Sequence, residues 1–315
     1  MTIAIAAAGP HAGRAVYEAL KAAEKIGTQS IGGFVTFAAL TKHGEILRAD
    51  TQRGGSSTLF VDGERNGVDP PANVAEAIAA ALISSGPDRP SPLSQFVPAD
   101  AAGGLVTGHR MPSALSVNGK SMNYEALDLL VAGRTAQEAV DTVVGQNPMS
   151  DCGLIAVDRS GRVYGRNSVR ILGRKDVHQA EMTLEGPAGK VIALQNAIQP
   201  YKIVAEVAVA VAHQVMRGPI VAEEWISVES GLPVRLGTES AVYCDENLKA
   251  QYAVTTDASI LKGVQPASAI YLSSAVFRGE KLVGHTVGEL LCVVNEGKIM
   301  TFSGQERTRL GFVHR

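Results

Sequence analysis

Two stretches of this chain place an apolar run, a glycine-bearing turn and a second strand-like run in immediate succession, and each dictates an antiparallel hairpin. The first runs from Phe34 to Leu40, turns at Thr41-Lys42-His43-Gly44 and returns from Ile46 to Thr51. The second runs from Gly153 to Val157, turns from Asp158 to Gly161 and returns from Arg162 to Asn167. Runs of this composition between turn residues favour a pleated backbone over a helical one. A hairpin buries its apolar face only against another layer, so a chain with two of them needs partners for both.

Those partners are legible around the hairpins. Residues 3–8 read as a strand stopped by Gly9-Pro10, and residues 14–26 place Val16, Leu20, Ala23 and Ile26 on one helical face ahead of Gly27. A helix is expected over 73–84, then a surface loop over 86–100 rich in Pro, Ser and Asp. Leu105-Val106-Thr107 reads as a short strand, followed by a helix capped by Asn123, with Tyr124 to Val131 as its body and Gly133 as its stop. Thr135-Ala136-Gln137-Glu138 is a capping box that opens a helix through Val144. Residues 190–196 read as a strand and 200–216 as an apolar helix, an order that echoes the opening of the chain. Beyond Gly218-Pro219 the chain breaks into short β-like runs at 225–229, 234–236, 241–243, 269–277, 290–294 and 298–302. The reading is an α+β protein with a larger domain over 1–217 and a smaller β-rich domain over 218–315.

Charge and cysteine usage narrow the function. With 31 acidic against 29 basic residues and a formal net charge of -2, the chain lacks the positive excess that draws proteins to nucleic acid or anionic membranes. Its most apolar stretch, Ile203 to Ala212, is about half the length of a membrane span and contains Glu206. Three dispersed cysteines form no CxxC pair, which suits a reducing, cytoplasmic setting. The seven histidines never fall at metal-ligand spacing, so neither a metal nor a cofactor is expected. Asn118-Gly119-Lys120-Ser121 imitates a phosphate loop, but Ala114 stands where the first glycine is required. The basic run from Arg159 to Lys175 lacks interleaved aromatics and reads as a solvated face.

The run ALDLLVAGRTAQEAVDTVVGQNPMSDCGLIAVDRSGRVYGRNS (126–168) resembles the helix-then-hairpin unit of the Ntn-hydrolase superfamily. It looks closest to type 2 asparaginases and isoaspartyl peptidases and to a bacterial family that shares their fold. The first hairpin, SIGGFVTFAALTKHGEILRADTQRGG (30–55), is similar to the nucleophile-bearing hairpin of those enzymes. The resemblance implies an Ntn-type four-layer α-β-β-α sandwich, followed here by the smaller β-rich domain. It also implies a nucleophile at the first residue of a strand, freed as a new amino terminus by self-cleavage. A free α-amino group then serves as general base for the hydroxyl or thiol of the same residue.

On that resemblance the catalytic candidates are Ser30, which opens Ser-Ile-Gly, and Thr36, which leaves the better strand length. Cleavage before either would release a segment that itself reads as an ordered strand and helix. Cys152, at the start of the second hairpin, ranks third. Thr51, Gly54 and Gly55 fall where the family binds and polarises the substrate carbonyl, and backbone N–H groups of a Gly-Gly turn can form an oxyanion hole. A tight turn needing positive φ explains the same glycines. His109 suits proton transfer and Arg110 suits carboxylate binding, while Asn118 can donate to a carbonyl or simply open a turn. The expected function is an amidohydrolase acting on a small, carboxylate-bearing substrate, in a homo-oligomer by superfamily resemblance. The alternatives are a non-catalytic Ntn-like scaffold that binds a small molecule or a partner subunit, and an intact-chain hydrolase with His109 as base.

Overall fold

A computed structural model describes residues 1–27, 31–184 and 189–314, and the chain divides into two compact units, Met1–Gly218 and Pro219–Arg315. The first unit opens with β1 (Thr2–Ala8), whose seven residues are all buried, and α1 (Ala12–Ile26), whose Val16, Leu20 and Ala23 face the core. β2 (Phe34–Leu40) and β3 (Ile46–Gln52) form the first hairpin, in register from Phe34 opposite Gln52 to Leu40 opposite Ile46. A single turn of helix, α2 (Ser56–Leu59), the two-residue strands β4 (Val61–Asp62) and β5 (Arg65–Asn66), and α3 (Ala72–Ala75) follow.

Here the expected helix over 73–84 is corrected. It is one turn long, and the chain continues as strand β6 (Ala79–Ser85), buried at every position between β1 and β2. Alanine and leucine favour a helix locally. Two flanking strands offer this segment a complete ladder on each edge and an apolar layer on each face, and tertiary burial overrides propensity.

After a 3₁₀ turn at Leu93–Phe96 come β7 (Ala99–Asp100) and β8 (Gly104–Arg110). Leu93, Phe96 and Val97 are buried, so the expected surface loop carries part of the core. α4 (Met122–Val131) starts after Ser121; Asn123, expected as its cap, lies inside it and donates to the Gln95 carbonyl. α5 (Ala136–Gln146) begins with the Thr135/Glu138 capping box, both hydrogen bonds of which are formed. β9 (Cys152–Asp158) and β10 (Val163–Asn167) make the second hairpin. α6 (Val169–Leu172), β11 (Val177–Thr183), β12 (Lys190–Asn196) and α7 (Ile203–Arg217) complete the unit. β11 is an edge strand with no fully buried residue, which is why its sequence lacks an apolar signature.

Apart from the short β4–β5 pair, the strands form two antiparallel sheets, one in the order β11-β12-β1-β6-β2-β3 and one in the order β10-β9-β8-β7. Alternation sends successive side chains to opposite faces, so β1 divides its residues between two cores. Ile3, Ile5 and Ala7 pack with α1 and α7, whereas Ala4, Ala6 and Ala8 join Leu105, Ile155 and Val157 of the smaller sheet. The far face of that sheet, with Val106, Leu154 and Ala156, packs against α4 and α5. Small alanines on the inner face of β1 suit two sheets packed face to face.

The second unit is almost entirely strands: β13 (Glu224–Glu229), β14 (Val234–Leu236), β15 (Ala241–Cys244), β16 (Ala250–Thr255), β17 (Val264–Ile270), β18 (Ala275–Arg278), β19 (Lys281–Thr286), β20 (Leu290–Asn295), β21 (Lys298–Thr301) and β22 (Arg307–His314). Seven pair in the order β13-β22-β19-β18-β15-β16-β14, and β17-β20-β21 form a second sheet. The run expected over 269–277 is two strands, broken where Ser274 bonds back to the Tyr271 carbonyl. Across β16, β15 and β18 the rings of Tyr252, Tyr243 and Phe277 stack in a row, and Arg235 covers the Tyr252 ring. The protein is thus α+β, with all seven of its described α-helices in the first unit.

Candidate functional site

At one end of the two sheets, β1, β6 and β12 of the larger and β8 and β10 of the smaller carry polar side chains. Thr2 shares the inner face of β1 with Ala4, Ala6 and Ala8, and register places it between Ser85 of β6 and Asn196 of β12. In the other sheet His109 and Asn167 flank Gly153 on β8, β10 and β9. Each of these polar residues is buried, which gives the space between the sheets a polar belt at this end alone.

The belt is tightly wired around Thr2. Ser85 Oγ donates to the Met1 carbonyl at 2.6 Å, so its only proton is committed and the Thr2 hydroxyl, 3.2 Å away, must donate to it. Arg89 Nη2 donates to the same Ser85 oxygen at 3.0 Å. Burial lowers the Met1 α-amino group below its ordinary value, and the charges of Arg110 and Arg89 reinforce the shift. Arg110 holds Asp151 in a bidentate ion pair that keeps the carboxyl below its usual range. Arg174 does the same to Asp176, at 2.9 and 2.6 Å.

Opposite Thr2, His109 is fully enclosed, and burial pushes its imidazole down to about 4, so the ring is neutral near pH 7. Its Nε2 stands 2.6 Å from Asn167 Oδ1, an acceptor, which places the proton on Nε2 and leaves Nδ1 as a lone pair. A side chain at Gly153 would overlap both His109 and Asn167, so glycine is required where the two meet. Two buried acceptors, His109 Nδ1 and Asn196 Oδ1, have no hydrogen-bond partner among the described residues. Each such orphan costs about 1–3 kcal/mol unless a ligand satisfies it. Arg110 and Ala197, which follow His109 and Asn196 directly, adopt φ of 64° and 55°, a region that non-glycine residues enter at a cost of about 1 kcal/mol or more. Two unpaired acceptors and two strained residues thus lie side by side at this end of the sheets.

The residues singled out from sequence are dispersed. Ser30 lies outside the described residues. Thr36 is the third residue of β2 rather than its first, is fully buried and donates to the Leu93 carbonyl at 3.0 Å. Cleavage before it would sever a strand paired on both edges. Cys152 does begin β9, but burial pushes its thiol far up and no thiolate forms there.

Thr51, Gly54 and Gly55 gather on the α1 side of the larger sheet, away from the belt. Thr51 bonds to Thr58 at 2.7 Å, and the Gly54 amide is spent on the Gly32 carbonyl. Gly55, at φ 58°, leads into Ser56, whose amide and hydroxyl bind Glu24 of α1. These glycines form a turn clasped to a helix. Asn118 ties α4 to α5 through Glu125 and Gln146. Of the sequence candidates among the described residues, His109 and Arg110 reach the belt. His109 is enclosed rather than at a loop edge, and Arg110 is already paired.

Residues 2–225 match the family described as Domain of unknown function (DUF6963). The chain belongs to that family. Residues 231–307 are similar to a second, described as Domain of unknown function (DUF7259). No curated protein matches the chain. The DUF6963 match spans every element that builds the belt. Among the described residues no helix is long and apolar enough to cross a membrane, and no three His, Cys, Asp or Glu side chains converge as metal ligands.

Sequence reasoning missed Thr2, Ser85, Arg89, Asn167 and Asn196. One signal was present: the apolar runs TIAIAAA, AAALISS and KVIALQN each carry their polar residue at the end that antiparallel pairing brings together.

Proposed function

We propose that the first unit is an Ntn-type amidohydrolase, with its stack of helices, two sheets and helices serving as the four-layer α-β-β-α sandwich of that superfamily, and with Thr2 as nucleophile. The observation that carries this reading is the placement of Thr2 at the head of a central strand, its hydroxyl bonded to Ser85, facing buried acceptors that no described residue satisfies. Thr2 takes this role in place of Thr36, which lies inside β2, because among the described candidates Thr2 begins a strand in the polar belt; Ser30 lies outside the described residues. Hydrolysis of the Met1–Thr2 bond consumes one water, frees the Thr2 α-amino group and removes the carbonyl that accepts from Ser85.

The chemistry then runs through this chain's own groups. The Thr2 amine lies one residue from the Met1 amine, which burial and neighbouring guanidiniums lower, and the same surroundings favour its neutral form as the base that takes the proton from its own Oγ1. Oγ1 attacks the substrate carbonyl carbon, and the Ser85 hydroxyl, released from Met1, donates to the developing oxyanion. The C–N bond breaks as the α-ammonium returns its proton to the leaving nitrogen, and an ester to Thr2 remains. Water, deprotonated by the same amine, hydrolyses that ester. His109 acts as a positioning residue that orients Asn167.

The test is the intact mass and amino-terminal sequence of the purified protein. A chain that begins at Thr2 is the expected result. A chain that retains Met1 removes this mechanism and favours the non-catalytic scaffold, whereas a fragment that begins at Ser30 or Thr36 restores internal self-cleavage.

A further inference from the structure

The basic residues that open the run from Arg159 lie at the far end of the smaller sheet from the belt. β9 carries Gly153 in the belt and Asp158 at its other end, about 17 Å away along an extended strand. There the β9–β10 turn faces the connection between α4 and α5 across a cavity of about 420 Å³, within the range of small-molecule sites. Ala102, Leu130 and Val131 form an apolar wall, and Arg134, Arg159 and Arg162 bring three guanidiniums. The carboxylates nearby are already spent. Asp158 is 4% exposed and accepts five hydrogen bonds, from Ser160 N and Oγ, Arg162 N and Nε, and Ala136 N. A carboxylate has about four lone-pair sites, so Asp158 has nothing left for Arg134 or Arg159. By holding the Ala136 amide it also fills the start of α5. Asp100 Oδ1 accepts from the amides of Ala102 and Gly103. The Thr135 hydrogen bonds of the capping box, with the charges of Arg134 and Arg162, hold the Glu138 carboxyl below its usual range. Arg134 Nη1 stands 4.0 Å from Glu138 Oε1, too far for a hydrogen bond. The Arg159 side chain is exposed and has no polar partner among the described residues, while Arg162 commits only its Nε.

We infer that this cavity binds a phosphate monoester, with Arg134, Arg159 and the free end of Arg162 on the phosphate and the organic part against Leu130 and Val131. Charge and donor count set the choice of anion. A phosphate monoester carries about −1.5 to −2 charges near pH 7 and three strong acceptor oxygens, which matches two open guanidiniums and part of a third. A carboxylate, with one charge and two oxygens, leaves donors unused. Guanidinium forks meet phosphate oxygens through paired N–H···O bonds. The apolar wall sets the rest of the ligand, because bare phosphate would leave Val131, 49% exposed, uncovered. The cavity shares no lining residue with the belt, and the inference stands independently of the role of Thr2.

Calorimetric titration of the full-length protein in a phosphate-free buffer tests the assignment, with phenyl phosphate as the probe and inorganic phosphate and benzoate as comparisons. Phenyl phosphate is expected to saturate at one molecule per chain and to bind at least about tenfold tighter than either comparison. Arg134→Gln and Arg159→Gln are each expected to weaken it about tenfold, with partial recovery in Arg134→Lys and Arg159→Lys. Both side chains are exposed, so these variants should keep the urea midpoint of the native protein. Arg162 is left in place because its Nε holds Asp158. Absence of saturable binding overturns the site. An affinity unchanged in both glutamine variants places the anion elsewhere and overturns it equally. Benzoate that binds as tightly as phenyl phosphate overturns the assignment to a phosphate, and inorganic phosphate that does so overturns the role of the apolar wall.

Discussion

The two ends of the stacked sheets are made from the same strands and carry opposite chemistry. At one end Ala8, Leu40 and Ala79 of the larger sheet close on Leu105, Val157 and Val163 of the smaller, an apolar contact without a polar side chain in its core. At the other end Thr2, Ser85 and Asn196 face His109, Gly153 and Asn167. The apolar end contributes to stability through burial, at about 25 cal/mol per Å². The polar end gives up some of that stabilisation through unpaired acceptors and positive-φ residues, at the groups that bind and react in the proposed mechanism. Seven-residue strands are long enough to do both, because in β1 and β6 the polar residues are confined to the last one or two positions at one end.

The largest effect expected from this comparison is on reactivity. Thr2→Ala is expected to slow acylation by a β-lactone on the order of 10⁴-fold or more, as loss of a nucleophile does elsewhere. Mass spectrometry reads the rate, and undiminished labelling in that variant would locate the reactive group elsewhere. At the apolar end the expectation reverses. Leu105→Ala, which empties a fully buried site, is expected to cost about 3 kcal/mol in urea denaturation. Its acylation rate under native conditions should stay close to that of the parent protein.

A pH titration separates the two ends again. His109 titrates at about 4 in the folded chain against 6.5 when unfolded, so above pH 6.5 it is neutral in both states. As pH falls from 6.5 toward 4 the unfolded chain binds a proton that the folded chain does not, and stability drops by about 3 kcal/mol across that window. Urea midpoints between pH 7 and pH 4 should fall more steeply for the native protein than for His109→Gln. Parallel curves would contradict the enclosure of this imidazole. The smallest effect lies away from both ends: Thr135→Ala removes the cap of α5 and should lower stability by about 1 kcal/mol, with acylation of Thr2 unaltered.

The residues of the belt were hard to see in the sequence because, apart from the β9–β10 hairpin, the segments that supply them are scattered along the chain. Thr2, Ser85 and Asn196 are adjacent only through strand order, with Ser85 and Asn196 each opposite Thr2. Arg110 was visible as a cation beside a loop, but its neutralisation by Asp151 was not. Thr51, Gly54 and Gly55 form a real turn, yet which face of the sheet it occupies depends on the docking of Glu24 against Ser56.

By itself the sequence determined what is local. Apolar runs interrupted by Gly- and Asp-bearing turns specify both hairpins, and the Thr135/Glu138 spacing specifies the start of α5, because the interacting groups lie within a few residues of one another. Only the tertiary structure decided that 79–85 is a strand and that one end of two sheets is polar. Both depend on pairings across large sequence separations, where the free energy comes from burial between layers rather than from the preferences of any single segment.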